Sequence, residues 1–310
     1  MKISAATGLY QQRGDNRVHR DLNEVITVLH DIGYDTFDLS LASVEQPNFI
    51  LKGDDWERKI DQLGNTAAKL GVTFFQSHLP FIQGSAIQID PHFRVSGYRE
   101  QFFEYTRRAY HATAMLGTKW TVMHPVTFPE LNYENKASLE ANHAMYDEYV
   151  ELGIRLGVGT AMENLVPPWD RAMGMTYCQH YDQLIELVDS FDDPMVGVCW
   201  DTGHANLVQL EQERALRAIG SRLKVLHISD NFAKVRDSHQ LPYMGDVDWD
   251  AVIRGLVAIE YDGALNYETG KTSSNSYGSL QLDYMRLAYQ NGLYLLEKYE
   301  TLMAEKRRQA

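Results

Sequence analysis

Apolar and polar positions recur in the same order along the chain. "DIGYDTFDLS" (31–40), "KLGVTFFQSH" (69–78), "MLGTKWTVMH" (115–124) and "RLGVGTAMEN" (155–164) share one plan. Each runs from the end of an amphipathic segment through a glycine into a short apolar stretch, and each closes on a polar residue. The glycines are Gly33, Gly71, Gly117 and Gly157, and each suits the left-handed position that ends a helix. A spacing of about 40 residues is the length of one strand–helix unit with its loops.

The segments before these glycines predict helices. Leu22, Val25, Ile26 and Leu29 fall on one face over 20–32, and Trp56, Ile60, Leu63 and Leu70 do so over 54–70. The segments 97–116, 137–156 and 177–190 continue the series. Apolar strands follow at 195–201, 223–230 and 263–269, with helices near 209–219, 249–260 and 279–306. With "KISAATG" (2–8) in front, the pattern predicts eight strands and eight helices in alternation. The strands are apolar along most of their length, which marks strands buried on both faces in a parallel sheet. This predicts an α/β protein, a (β/α)8 TIM barrel. An open doubly wound sheet lacks its G-x-G-x-x-G after the first strand. No linker rich in Pro, Gly or Ser interrupts residues 1–310, so a single domain is expected.

A barrel of this kind carries its chemistry at the C-terminal ends of its strands. In chain order those ends offer Asp38, His78, His124, Glu163, Asp201, His227 and Glu268. Just beyond them stand His204, Asp237 and His239. Five of the 11 histidines fall in this set, a concentration that scattered surface residues would not give. Asp201 poses the sharpest question. It ends the apolar run "PMVGVCW", and an unpaired buried carboxylate costs several kcal/mol or protonates. Glu163, Asp201 and Glu268 would converge with His227 on one mouth, where three carboxylates push one another's pKa values up. A divalent cation removes that conflict, and three carboxylates with one imidazole suit Mn²⁺, Mg²⁺ or Zn²⁺. Asp201 is therefore expected to pair with a metal.

The plainer alternatives differ in weight. A lone strand-end histidine such as His78 or His124 is more often a hydrogen-bonded structural residue than a ligand. Asp38 reads as a capping or ion-pair residue and is set aside. His30, His111 and His143 fall in helical patterns. Cys178 and Ser238 have no recognisable base partner, so a nucleophilic mechanism lacks support. In "ETGKTSSNSYG" (268–278), Lys271 and its hydroxyl neighbours could hold a phosphate, but the composition of a flexible loop is preferred.

Bulk properties narrow the field. A chain of 310 residues with 44% hydrophobic content can bury a large core. The net charge of −13 speaks against nucleic acid, which usually selects a basic face. No apolar run approaches the ~18 residues of a membrane span, and the first residues lack the apolar stretch of a signal peptide. Two cysteines make no disulfide framework, so a cytoplasmic setting is expected. A homo-oligomer is compatible with all of this.

The stretches "QSHLPF", "VMHP", "AMENL", "CWDTGHA", "LHISDN", "DSHQLPYMGDVDW" and "LNYETG" resemble successive strand ends of the xylose-isomerase-like barrel superfamily. It includes D-tagatose 3-epimerase-like sugar isomerases and epimerases and the apurinic endonuclease IV group. The resemblance to the epimerase branch implies one divalent metal on Glu163, Asp201, His227 and Glu268. It also implies His204 beside a small sugar substrate, with Arg236 as the nearest match to an assisting arginine. Glu163 and Glu268 would double as acid and base across an enediolate. The endonuclease branch implies three zinc ions, and His78, His124, His204, Asp237 and His239 stand where the further ligands are required. A sugar or sugar phosphate isomerase/epimerase is the expected function. A multi-zinc phosphodiesterase is the alternative, and a non-catalytic binding barrel comes third.

Overall fold

A computed structural model describes residues 1–11, 19–42, 44, 48–81, 98–127, 135–167, 175–233, 236–270 and 278–309. Each predicted strand forms. These are β1 (Lys2–Ala6), β2 (Thr36–Ser40), β3 (Thr73–His78), β4 (Trp120–Met123), β5 (Gly159–Glu163), β6 (Val196–Asp201) and β7 (Leu223–His227). The eighth, Ala264–Tyr267, is β10, because two short strands intervene. The eight long-range partners are parallel in the order β10-β1-β2-β3-β4-β5-β6-β7. Closure between the two ends rests on Ile228, whose N–H donates to Asn266 O at 2.7 Å and whose carbonyl accepts from Glu268 N–H at 3.0 Å. The result is a nearly closed barrel with helices around it.

The helices take their expected faces. In the helix Leu22–Ile32, Leu22, Val25, Ile26 and Leu29 are buried against the barrel. Burying each such side chain contributes about 1.5–3 kcal/mol. Asp21 caps the helix through Asn23 N–H, at 2.8 Å. The helices Trp56–Leu70, Tyr98–Met115 and Asn135–Leu156 end at Gly71, Gly117 and Gly157, which take φ of 72°, 68° and 73°. That left-handed backbone is free of steric cost for glycine. Inside the barrel Val122, Ala161, Cys199 and Val225 form a small apolar layer with Phe75 and Trp120. The mouth above it is polar.

Three features depart from the pattern. The helix expected over 177–190 spans only Tyr181–Ser190, because Cys178 adopts φ 62° and ends any helical run there. The helix expected from 209 begins at Gln212, and a separate short helix, Thr202–Leu207, follows β6 with no intervening residue. After β7 the chain folds into an antiparallel hairpin, β8 (Asp230–Phe232) and β9 (Arg236–Gln240). None of the described helices is long and apolar enough to cross a membrane.

Candidate metal and acid–base centre

The strand ends converge. Glu163, Asp201 and His227 are the last residues of β5, β6 and β7, and Glu268 follows β10 directly. His78 ends β3 and His124 follows β4. His204 lies in the helix Thr202–Leu207, and the hairpin strand β9 carries Asp237 and His239. Each of these nine side chains belongs to a group whose potential ligand atoms lie within 4.8 Å of one another. The groups are Glu163/Asp201/His227/Glu268, His78/His124/Glu163 and His204/Asp237/His239. The side chain of Arg236 and the whole of Lys271 lie outside the described residues.

The histidines are oriented from behind. His78 Nδ1 lies 2.8 Å from Leu79 O, His204 Nδ1 2.7 Å from Asn164 O, and His239 Nδ1 2.6 Å from Glu268 O. A carbonyl only accepts, so each of these nitrogens carries the proton and leaves Nε2 as the lone-pair nitrogen of the neutral ring. Nε2 of His78 lies 3.5 Å from Glu163, and Nε2 of His239 lies 2.5 Å from Asp237. His227 is turned the other way. Its Nδ1 lies 2.9 Å from Glu163 Oε1 and 3.1 Å from Glu268 Oε2. His239 holds φ 45°, an uncommon backbone for a non-glycine residue.

Asp201 does two things at once. Its Oδ1 accepts the backbone N–H of His204 at 2.7 Å and so caps the helix that begins at Thr202. Its Oδ2 is buried with no hydrogen-bond partner among the described residues. Burial pushes its pKa up to about 6 against the pull of His204. This buried carboxylate oxygen, facing an imidazole and two further carboxylates, fits a divalent cation by its donor chemistry.

The neighbouring groups are charged to match. Burial alone would raise Glu163, but His227 and His124 outweigh it and hold the carboxyl well below its usual range. Glu268 is likewise raised by burial and drawn down, chiefly by His227, to about 2. His227 is lowered by burial and raised more strongly by Cys199, Glu163 and Glu268, ending well above the usual imidazole value. Without an ion, protons on imidazoles balance the carboxylates.

Sequence reasoning passes over two contributors. Asp38 lies in the interior of β2, not at a cap, and its Oδ2 accepts from Gln76 Nε2 at 3.0 Å and Asn266 Nδ2 at 2.9 Å. The signal was an acidic residue inside the apolar stretch TFDLS. Asn164 accepts the Asp201 backbone N–H at 2.7 Å and donates to its carbonyl at 2.9 Å, tying β5 to β6 at the ligands.

A family model described as xylose isomerase-like TIM barrel matches residues 26–286. The uncharacterized protein y4fM of Sinorhizobium fredii is 31% identical over 175 residues, 55% of this chain and 53% of that protein. The uncharacterized protein MJ1311 of Methanocaldococcus jannaschii is 29% identical over 174 residues, 55% of this chain and 57% of that protein. The matched stretch thus spans about half the length of these curated relatives. Among solved structures, a D-tagatose 3-epimerase-like protein superposes with a TM-score of 0.72 at 21% identity, covering 99% of both chains. The IOLI protein with a binding zinc atom gives 0.74 at 15% identity, over 96% of this chain and 99% of that one. D-psicose 3-epimerase from Clostridium cellulolyticum H10, with D-tagatose, gives 0.69 at 17%, with the same coverage. At such identities the likeness is one of fold.

Proposed function

The chain belongs to the xylose isomerase-like TIM barrel family, and from that premise we propose a divalent-metal-dependent isomerase or epimerase of a small sugar or sugar phosphate. The observation that carries the proposal is the pair Glu163 and Glu268, 2.9 and 3.1 Å from one imidazole nitrogen of His227, with the unpartnered Asp201 Oδ2 beside them. Epimerases and a zinc-bearing barrel among the structural neighbours support the same reading.

Glu163, Asp201, His227 and Glu268 would hold the ion. A divalent ion there would supply Lewis acidity toward adjacent carbonyl and hydroxyl oxygens of the sugar. One glutamate removes the proton from the carbon beside the carbonyl, leaving an enediolate, and the other returns a proton to complete isomerisation or inversion. The two are not equivalent. The Glu163 side chain is 1% exposed and the Glu268 side chain 30%, so Glu268 is the one nearer the open mouth. His204, with Nδ1 fixed on Asn164 O, is positioned to bind a substrate hydroxyl. The test is deuterium uptake from D₂O next to the carbonyl, across a panel of ketoses and ketose phosphates, with and without EDTA. At least one compound should exchange, and only with metal present.

One observation favours a second reading. The two oxygens of Glu163 face different partners, Oε2 toward His124 and Oε1 toward His227, and His204/Asp237/His239 form a third donor group. Three zinc ions would use all nine side chains, as a phosphodiesterase acting on abasic DNA requires. The net charge of −13 weighs against a nucleic-acid substrate. Cleavage of abasic duplex, together with no proton exchange in the sugar panel, would reverse the ranking.

A further inference from the structure

We infer that Asp38 is the positioning residue for His227, holding the imidazole so that Nδ1 faces Glu163 and Glu268. The inference rests on the reading of those glutamates, Asp201 and His227 as a metal site. His227 is fully buried, and its Nε2 has no aligned hydrogen-bond partner among the described residues. The group facing it is Asp38, with Oδ2 at 3.3 Å. Asp38 Oδ1 is also buried and without a hydrogen bond among the described residues. The orphan Nε2 thus lies within reach of a carboxylate oxygen, and leaving a buried donor unmade is costly. A small turn of the ring would align Nε2–H with Oδ2.

Three details give this contact a direction. Gln76 and Asn266 both donate to Asp38 Oδ2, so two side-chain amides, from β3 and β10, fix the carboxylate from either side. Asp38 and Gln76 are also register partners across β2 and β3, so the carboxylate cannot drift along the strand. The described carbonyls that orient His78, His204 and His239 all take Nδ1–H, whereas His227 presents Nδ1 to the carboxylates and needs its acceptor at Nε2. Asp38, on β2 and 3.3 Å from Nε2, is placed to supply that. A carboxylate behind a ligating imidazole fixes the ring and raises its basicity, and removing such a partner typically weakens metal binding about 10–100-fold.

The test uses the full chain as wild type, Asp38→Ala and Asp38→Asn. Mn²⁺ affinity is measured by calorimetry. The Nε2–H proton of His227 is observed by ¹H–¹⁵N spectroscopy of ¹⁵N-histidine protein, with the signal assigned by its loss in His227→Gln. In wild type that proton should be downfield and slowly exchanging. Asp38→Ala should lose the signal and bind Mn²⁺ about 10–100-fold more weakly. Asp38→Asn, whose amide oxygen still accepts, should recover most of both. An unchanged Nε2–H signal in Asp38→Ala would overturn the inference, as would Asp38→Asn behaving no better than alanine. Should wild type bind no divalent ion, the metal reading fails by itself, while the Nε2–H comparison still decides the role of Asp38. If Asp38→Ala does not fold, Asn266→Ala removes one of the two fixing amides and should shift the same proton in part; no shift would equally overturn the inference.

Discussion

His124 Nε2 lies 2.8 Å from Glu163 Oε2, on the carboxylate oxygen that His227 does not use. Glu163 therefore joins two histidine-bearing groups through its separate oxygens. Whether it acts as a base depends on what occupies the second group. With no ion in the second group, Glu163 would be one ligand of one ion and keep its other oxygen for proton transfer. A second ion held there would compete for that oxygen and for the same proton.

The first prediction follows. The purified protein should hold one divalent ion per chain, and His78→Ala or His124→Ala should leave that stoichiometry unchanged. Elemental analysis decides it. Three zinc ions per chain, falling when either histidine is removed, would favour the bridging arrangement and the phosphodiesterase reading.

The second concerns the glutamates. Glu163→Gln and Glu268→Gln, each loaded with Mn²⁺ and checked for occupancy, should lose about 10²–10⁴-fold in kcat with a far smaller change in substrate Kd. The deficits should differ in kind, because one variant can still exchange the substrate proton with solvent without completing the reaction. Steady-state rates and deuterium uptake are the measurements. Near-normal kcat in either metal-loaded variant would exclude a two-glutamate mechanism.

The third separates the two duties of Asp201. Asparagine caps helices about as well as aspartate, whereas alanine costs about 1 kcal/mol. Asp201→Asn should keep the ion-free melting temperature at or above wild type at pH 7.5, since it also removes a buried carboxylate. Asp201→Ala should melt lower, and both should bind Mn²⁺ poorly. Equal melting temperatures for the two variants would mean that the cap contributes nothing.

The fourth is a change of sign with pH. Asp201 is raised from 3.8 to about 6, so its folded form favours the proton, and that contribution is lost as pH rises through about 6. It amounts to at most about 3 kcal/mol. His227, raised well above 6.5, contributes below its unfolded value and loses that contribution as pH rises further. Glu268, lowered from 4.5 to about 2, contributes above 4.5 and loses it only as pH falls toward 2. Ion-free protein should therefore lose stability between pH 5.5 and 8. Mn²⁺-saturated protein should gain it, because the ion competes with those same protons. Melting curves in EDTA and in Mn²⁺ across that range test this, and parallel slopes would refute it.

Much of the barrel was legible because its strands are buried on both faces. An apolar run such as MVGVCW has one place for a charged residue, its C-terminal end, and Asp201 stands there. Glu163 and His227 were visible for the same reason. Asp38 was visible in the same series and reads as a capping or ion-pair residue. Its pairing with His227 bears out the second, but its partners Gln76 and Asn266 lie 38 and 228 residues away, and only barrel closure brings them together. The helix Thr202–Leu207 was hidden because its cap is also the last residue of a strand. The hairpin that carries Asp237 and His239 was hidden because its polar strands pair with each other and not with the barrel.

The absence of any residue between β6 and the helix at Thr202 bears on ion selectivity. Asp201 Oδ1 is tied to the His204 N–H, while Oδ2 has no hydrogen-bond partner among the described residues. Were an ion held here, Oδ2 would be the readier donor, and the cap would disfavour a bidentate carboxylate. Calcium prefers six to eight oxygens and often takes both from one carboxylate, whereas Mg²⁺ holds to a tighter octahedron. A capped ligand of this kind would lower the attainable coordination number and so favour the smaller ion; weaker binding of Ca²⁺ than of Mg²⁺ or Mn²⁺ in a titration is the expected outcome.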